Sequence, residues 1–247
     1  MTGTYRIGDQ VIMITSLYPA VHEYCWDYRT EGKPSLTVEI TPEDLAFELE
    51  RDKQAAAFPA AADQETRNAF TEIMAVYRGI GEQMPLRDTV VFHGSAIAVD
   101  GACYVFTAVS GTGKSTHARL WREMLGPRAV MVNDDKPLIR LTEGGAVVYG
   151  TPWNGKHRLG TNISVPLKGI SIITRAEHNA IRRISRMEAF PTLMQQTYRP
   201  LDPEALARTM PLIDRLSRIV PLYLLECNMD PEAAELSYQT MKEGTHP

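Results

Sequence analysis

The run Ala108-Val109-Ser110-Gly111-Thr112-Gly113-Lys114-Ser115-Thr116 follows the apolar stretch Tyr104-Val105-Phe106-Thr107 and has the residue types of a phosphate cradle. Glycines let backbone N–H groups turn inward around phosphate oxygens, Lys114 can neutralise the β and γ phosphates, and the Ser115 hydroxyl can reach Mg2+. Ser110, Gly111, Thr112, Gly113, Lys114, Ser115 and Thr116 are therefore the candidate nucleotide-binding residues. The pattern G-x-x-x-x-G-K-[ST] asks for glycine where this chain has Ala108. A glycine-rich turn without a ligand is the competing reading. The strand-like run entering the loop and the helix-like Ser115 to Leu125 leaving it favour the cradle.

Phosphoryl transfer also needs a carboxylate for the metal and a group to take the acceptor's proton. Asn133-Asp134-Asp135 directly follows the apolar run Ala129 to Val132, so both carboxylates emerge at the carboxyl end of a strand expected to neighbour the cradle strand. One of them can hold metal and the other act as base; an Asx turn closing a strand is the plain alternative. Further on, Gly150-Thr151-Pro152-Trp153-Asn154-Gly155-Lys156-His157-Arg158 packs cations between glycines. Lys156, ahead of His157 and Arg158, is placed to reach a γ-phosphate or an anionic acceptor, against the reading of an exposed basic loop. Trp153 is either a stacking surface for adenine or core packing. Arg199 is a fainter candidate for a late arginine at the site.

These residues need elements to hold them. Residues 4 to 7, 10 to 15 and 36 to 40 read as short strands, and Thr41-Pro42-Glu43-Asp44 opens a helix in which Leu45, Phe47 and Leu49 fit imperfectly. A regular helix spans about Asp63 to Gln83, with Ala69, Ile73, Val76, Tyr77 and Ile80 at three- and four-residue steps. From Thr89 the character changes. Strands are expected at Val90 to Phe92, Ala96 to Val99 and Tyr104 to Phe106, the last two joined by the hairpin signal Asp100-Gly101. Further strands are expected at 129 to 132, 138 to 141, 146 to 149, 169 to 174 and 220 to 225, with Ile181 to Ile184 pairing to the strand at 169 to 174. Helices follow near Met187 to Gln195, Pro203 to Leu216 and Pro231 to Lys242. The expectation is an α/β chain with an N-terminal α+β region over 1–88 and a nucleotide domain over 89–247.

Bulk properties narrow the class. A chain of 247 residues, 44% apolar and 23% charged, has the composition of a globular protein with a proper core, and it contains no apolar run of membrane-spanning length. The net charge of −4 supplies no general attraction to nucleic acid. Cys25, Cys103 and Cys227 are isolated and odd in number, which suggests buried reduced thiols rather than a disulfide framework or zinc site. No secretory pattern opens the chain, so the expected location is cytoplasmic, away from membranes.

His93-Gly94, some twenty residues before Ser110-Gly111-Thr112-Gly113-Lys114-Ser115, followed by Asp134-Asp135, resembles the catalytic domain of the HPr kinase/phosphorylase family, in its small bacterial relatives. The cradle is also similar to that of ATP-dependent phosphoenolpyruvate carboxykinase, so the resemblance implies a carboxykinase-like P-loop nucleotide fold, covering about residues 89 to 175. It implies ATP and Mg2+ as cofactors, with Lys114 at the phosphates and Ser115 and Asp134 at the metal. It makes His93 the active-site histidine and Asp135 the base, so that His93, Lys114 and Asp135 form the catalytic set. Two departures stand out: Asp135 is followed by Lys136-Pro137, and the family's glutamate-bearing segment has no counterpart. The resemblance implies a serine of a protein or peptide as acceptor, and, since the family is hexameric, a homo-oligomer. A small-molecule hydroxyl is the other acceptor class, and a nucleotide-regulated binding module is the non-enzymatic alternative. A decarboxylating kinase fits less well, because the chain is too short for the full carboxykinase architecture.

Overall fold

The computed structural model describes residues 1–53, 63–155 and 157–244 of the chain, which divides into two compact units, Met1–Gln83 and Met84–Pro247. Among the described residues, no helix is long and apolar enough to cross a membrane. All three cysteines are buried, and none is in a disulfide.

In the first unit, β1 (Thr2–Ile7) and β2 (Gln10–Thr15) form an antiparallel hairpin, and β3 (Leu36–Glu39) lies parallel to β2 on its other edge. Period-2 alternation sends Tyr5, Ile7, Ile12, Ile14 and Val38 into the core. The short helix α1 (Ala20–Tyr24) lies between β2 and β3, and α2 (Pro42–Lys53) and α3 (Gln64–Gln83) follow. Thr41 and Asp44 cap α2 reciprocally: the Asp44 N–H donates to Thr41 Oγ1 at 3.2 Å and the Thr41 N–H donates to Asp44 Oδ2 at 2.9 Å. The poor fit of Leu45, Phe47 and Leu49 to a helix face has a specific cause. Leu45 and Glu48 are buried positions of α2, Glu48 accepting two bonds from Arg78 of α3, while Phe47 is left exposed.

The second unit is a mixed α/β fold on one curled sheet. Its strands are β4 (Thr89–Val91), β5 (Ser95–Val99), β6 (Ala102–Thr107), β7 (Ala129–Asn133), β8 (Leu138–Thr142), β9 (Gly145–Tyr149), β10 (Ser164–Arg175), β11 (Ala180–Arg183) and β12 (Leu222–Cys227). The order is β4-β8-β9-β10-β6-β5-β7, with β12 on β10 and β11 on β12. The curl comes from β10, which pairs antiparallel with β9 over Ser164 to Pro166, then parallel with β6 and with β12 further along. Its start at Ser164 is earlier than the sequence suggests. Pro166 sits in register with Val147, and Gly169, where the strand is expected to begin, follows an irregularity in the β6 pairing, close against Tyr223. Likewise β11 pairs with β12 and not with the strand expected at 169 to 174.

Helices cover both faces. Here α4 (Lys114–Leu125) and α7 (Pro231–Glu243) share a core cluster with Tyr104, Phe106, Ile173 and Leu225, while α5 (Arg186–Gln195) and α6 (Pro203–Ile219) share the other with Val105, Ile170 and Ile172. Because β6 is buried on both faces, its sequence is a near-continuous apolar run instead of an alternating one. The β5–β6 hairpin turns at Asp100 (φ +50°) and Gly101 (φ +80°), the doubly left-handed geometry that Asp-Gly supplies.

Trp121 of α4 locks the helix down. It is fully buried, contacts Tyr104, Phe106 and Tyr238, and its Nε1–H donates to Ser237 Oγ of α7 at 2.8 Å. Trp121→Ala should cost about 3–5 kcal/mol in urea unfolding of the protein. Trp121→Phe, which keeps a ring and loses the N–H bond, should cost clearly less.

Candidate active site

The cradle loop leaves the buried end of β6 and enters α4 at Lys114. Gly111 (φ +80°) and Gly113 (φ +129°) occupy backbone conformations that side chains disfavour, which is the local reason for glycine at both positions. Ala108 differs. It is buried at 2% exposure with no positive φ, so the first glycine of the strict pattern has no conformational task here. Its carbonyl accepts a 3.0 Å bond from Lys114 Nζ, which folds the lysine under the loop. Burial holds the Lys114 pKa below its ordinary value, Asp135 and Asp134 pull it up, and Lys136 pushes it down.

One cleft of about 920 Å³ is lined by His93, Ser110, Gly111, Gly113, Lys114, Ser115, Thr116, Asp134 and Asp135, together with Arg119 and His157. Thr112 is not among its lining residues: its carbonyl faces Arg175, and its N–H donates to Val109 O at 3.2 Å. Lys156 lies outside the described residues. His157 lines the cleft, whereas Trp153 is 5% exposed and belongs to the packing. Arg158 and Arg199 are exposed and line no part of the cleft.

The acidic pair is not on a strand adjacent to β6, as its sequence suggests. β5 intervenes, pairing with both β6 and β7. The pair reaches the cradle through a crossing of backbones. The Gly94 N–H donates to Asp135 O at 3.1 Å, and a Cβ at Gly94 would lie 2.8 Å from Phe106 O, so only glycine allows this approach. Asn133 organises the turn that follows. Its Oδ1 accepts the N–H groups of Asp135 and Lys136 at 2.8 and 2.7 Å, and its Nδ2 donates to Thr151 Oγ1 at 3.0 Å. The Asx turn is thus real, and it is also what aims the two carboxylates.

Each carboxylate has a distinct setting. Asp134 Oδ1 accepts a 2.6 Å bond from Ser95 Oγ. Asp135 Oδ1 stands 3.5 Å from His93 Nε2 and 3.3 Å from Lys136 Nζ. His93 is fixed from behind: Nδ1 pairs with Gln196 Oε1 at 2.8 Å, its N–H donates to Gln196 O at 2.7 Å, and its carbonyl accepts from Thr107 Oγ1 at 2.9 Å. With Nδ1–H given to Gln196, the Nε2 lone pair faces Asp135. Burial, then the charges of Lys136 and Lys114, push the His93 pKa down to about 4 against the opposing pull of Asp135.

Sequence reasoning missed three supports. Ser95 and Gln196 carry no motif, and Gln196 reaches the site through the bridge between Phe92 and Thr197 and the backbone bonds beside it. Arg175, at the end of β10, donates from Nε to Thr112 O at 3.1 Å and from a terminal nitrogen to Gly111 O at 2.5 Å. The only signal for it was a cation closing a strand that turns out to pair with β6. Among the described residues no three His, Cys, Asp or Glu side chains converge as a metal cage. The Ser115 hydroxyl and the two carboxylates are nonetheless hard oxygen donors, a set that fits Mg2+ when phosphate and water complete the shell.

The architecture defined by these elements is a mixed α/β sheet domain with a glycine-rich loop opening a helix. No protein-family model matches the chain, and no curated protein does. Among solved structures, that of the Hpr(Ser) kinase/phosphatase from Coxiella burnetii aligns with 62% of this chain and 97% of its own, at 9% identity and a TM-score of 0.39.

Because its folded pKa is depressed, His93 stays neutral while an unfolded histidine takes up its proton. Its contribution to stability is therefore present above about pH 6.5 and is lost as pH falls towards about 4. NMR titration of His93 should give a midpoint near 4. Lys114→Met should raise that midpoint by removing a cation, and Asp135→Asn should lower it by removing an anion.

Proposed function

We propose that this chain is a cytoplasmic ATP-dependent kinase of the HPr kinase and carboxykinase type, its larger unit serving as a carboxykinase-like nucleotide domain. It transfers the γ-phosphoryl group to a hydroxyl, with a serine of a protein or peptide as the first choice of acceptor. The observation that carries this reading is the convergence of His93, Lys114, Ser115, Asp134 and Asp135 with the glycine loop on one cleft. The serine acceptor rests on the sequence resemblance alone.

In this mechanism the loop amides and Lys114 hold the phosphates, and Ser115 and Asp134 hold Mg2+. The metal, when bound, neutralises phosphate charge. Asp135 takes the proton of the acceptor hydroxyl as its oxygen bonds to the γ-phosphorus and the bond to the ADP oxygen breaks. Neutral His93, fixed by Gln196, limits the charge around Asp135 and helps to position it. Lys114 leaves its contact with Ala108 O to meet the phosphates, and the negative charge it gains offsets its desolvation.

Incubation of the protein with γ-labelled ATP, Mg2+ and a cell extract should label a protein or peptide band. Lys114→Ala and Asp135→Asn should each lower that transfer by ~10²-fold or more while leaving the fold intact by circular dichroism. Transfer unchanged in Lys114→Ala would sink the proposal. Tight ATP binding without transfer to any acceptor would favour a nucleotide-regulated binding module.

A further inference from the structure

The reaction cleft continues past the groups that do the chemistry. Ser115, Arg119 and Arg122 line it at i, i+4 and i+7, so they share one face of α4. Met131 of β7 lines it as well, together with His157 and Leu159 of the loop after β9. β5 pairs antiparallel with both β6 and β7, so β6 and β7 run the same way, and α4, which joins them, runs back against β7. Helical rise puts Arg119 about 6 Å and Arg122 about 10 Å along α4 from Ser115. Strand rise puts Met131 about 10 Å before Asp134. The two elements thus carry the cleft equally far from the acidic pair, with Arg122 and Met131 at its outer end.

Charge is sorted along this length. Among the described residues, the carboxylates that line the cleft are Asp134 and Asp135, both at the reacting end, while the arginines lie towards the other. Arg119 holds Glu123 at 2.6 Å, an exposed pair one turn along α4 that costs little to exchange for another carboxylate. Arg122 is half-buried, and among the described residues no side chain bonds or pairs with its guanidinium. A guanidinium is planar, weakly hydrated and shaped for two parallel bonds to a carboxylate, and here the protein supplies none. In a chain of net charge −4, this is a cation kept available inside a reaction cleft.

Resting on the kinase reading, we propose that the cleft selects an acidic acceptor: a peptide segment whose serine sits beside Asp135 and whose carboxylates, two and three residues away, pair with Arg119 and Arg122. An extended peptide advances about 3.3 Å per residue, so those positions lie about 7 and 10 Å from the serine. That matches the spacing of the two arginines from Ser115. The phosphates of ATP have Lys114 and the loop amides at the reacting end, which leaves the arginines to the acceptor. Leu159 is partly exposed and offers the segment an apolar contact in the same cleft.

Transfer from γ-labelled ATP to three synthetic peptides tests this. Each carries one serine in an otherwise uncharged sequence, with Glu, Gln or Lys at the second and third positions on both sides. The wild-type protein should prefer the Glu peptide to the Gln peptide by ~10-fold in kcat/KM, with the Lys peptide poorest. The preference should shrink between about 50 and about 500 mM NaCl. Arg122→Gln should lower kcat/KM for the Glu peptide by ~5–10-fold, through the KM for peptide and not the KM for ATP. Arg122→Glu should invert the order and favour the Lys peptide, a gain that damage to the fold cannot produce. Transfer to the Glu peptide no better than to the Gln peptide, or a preference that Arg122→Gln leaves intact, would overturn the inference and leave the kinase reading standing. So would a loss in Arg122→Gln that falls on the KM for ATP, or labelling of an extract protein with no transfer to any peptide. Absence of transfer to every peptide and to every extract protein would overturn both.

Discussion

The second unit depends on one constraint: a strand buried on both faces has to end in a loop whose amides turn to a single side. β6 supplies the fixed end, since Cys103 to Thr107 are all buried. Left-handed glycines make the turn, Lys114 braces the loop from within through Ala108 O, and Arg175 braces it from without through two carbonyls. In a trans peptide the C=O and N–H point opposite ways, so an arginine that holds the Thr112 carbonyl outward also holds the Gly113 amide inward. The loop is thus preorganised by contacts on both of its sides, and the aromatic packing of Trp121 keeps the helix behind it from shifting.

The second feature of the site is that its charges arrive along separate elements and are tuned by one another. Lys114, Lys136, Asp134, Asp135 and His93 interact electrostatically within a partly desolvated cleft. Burial and then the lysines hold His93 neutral, and the carboxylates keep the buried Lys114 ammonium tolerable. Such mutual tuning is expected where proton transfer and anion binding share a space. It rests on short supports that do no chemistry themselves: Ser95 on Asp134, Gln196 on His93, and Asn133 under both carboxylates.

Local chemistry made much of this legible. The Asp-Gly hairpin, the Thr41–Asp44 cap and the period of the helix ending at Gln83 are short-range signals, and each is realised within a residue or two of its expected place. Leu45, Phe47 and Leu49 fit their helix imperfectly because α2 buries Leu45 and Glu48, and Glu48 is held by Arg78, a residue of another helix. The start of β10 before Gly169 was not legible because residues 164 to 167 are held by β9 and β6, strands distant in sequence.

By itself the sequence determined which residues can carry chemistry: a glycine loop with its lysine and serine, and a pair of aspartates closing an apolar run. Those are properties of residue type and near spacing. Tertiary structure alone decided that β5 separates the cradle strand from the acidic strand, that Gly94 lets the two meet, and that Gln196 and Arg175 complete the site. The physical reason is range. Caps, turns and periodicities act over a few residues, whereas strand order and the burial of a charge are set by partners some hundred positions away, as with His93 and Gln196.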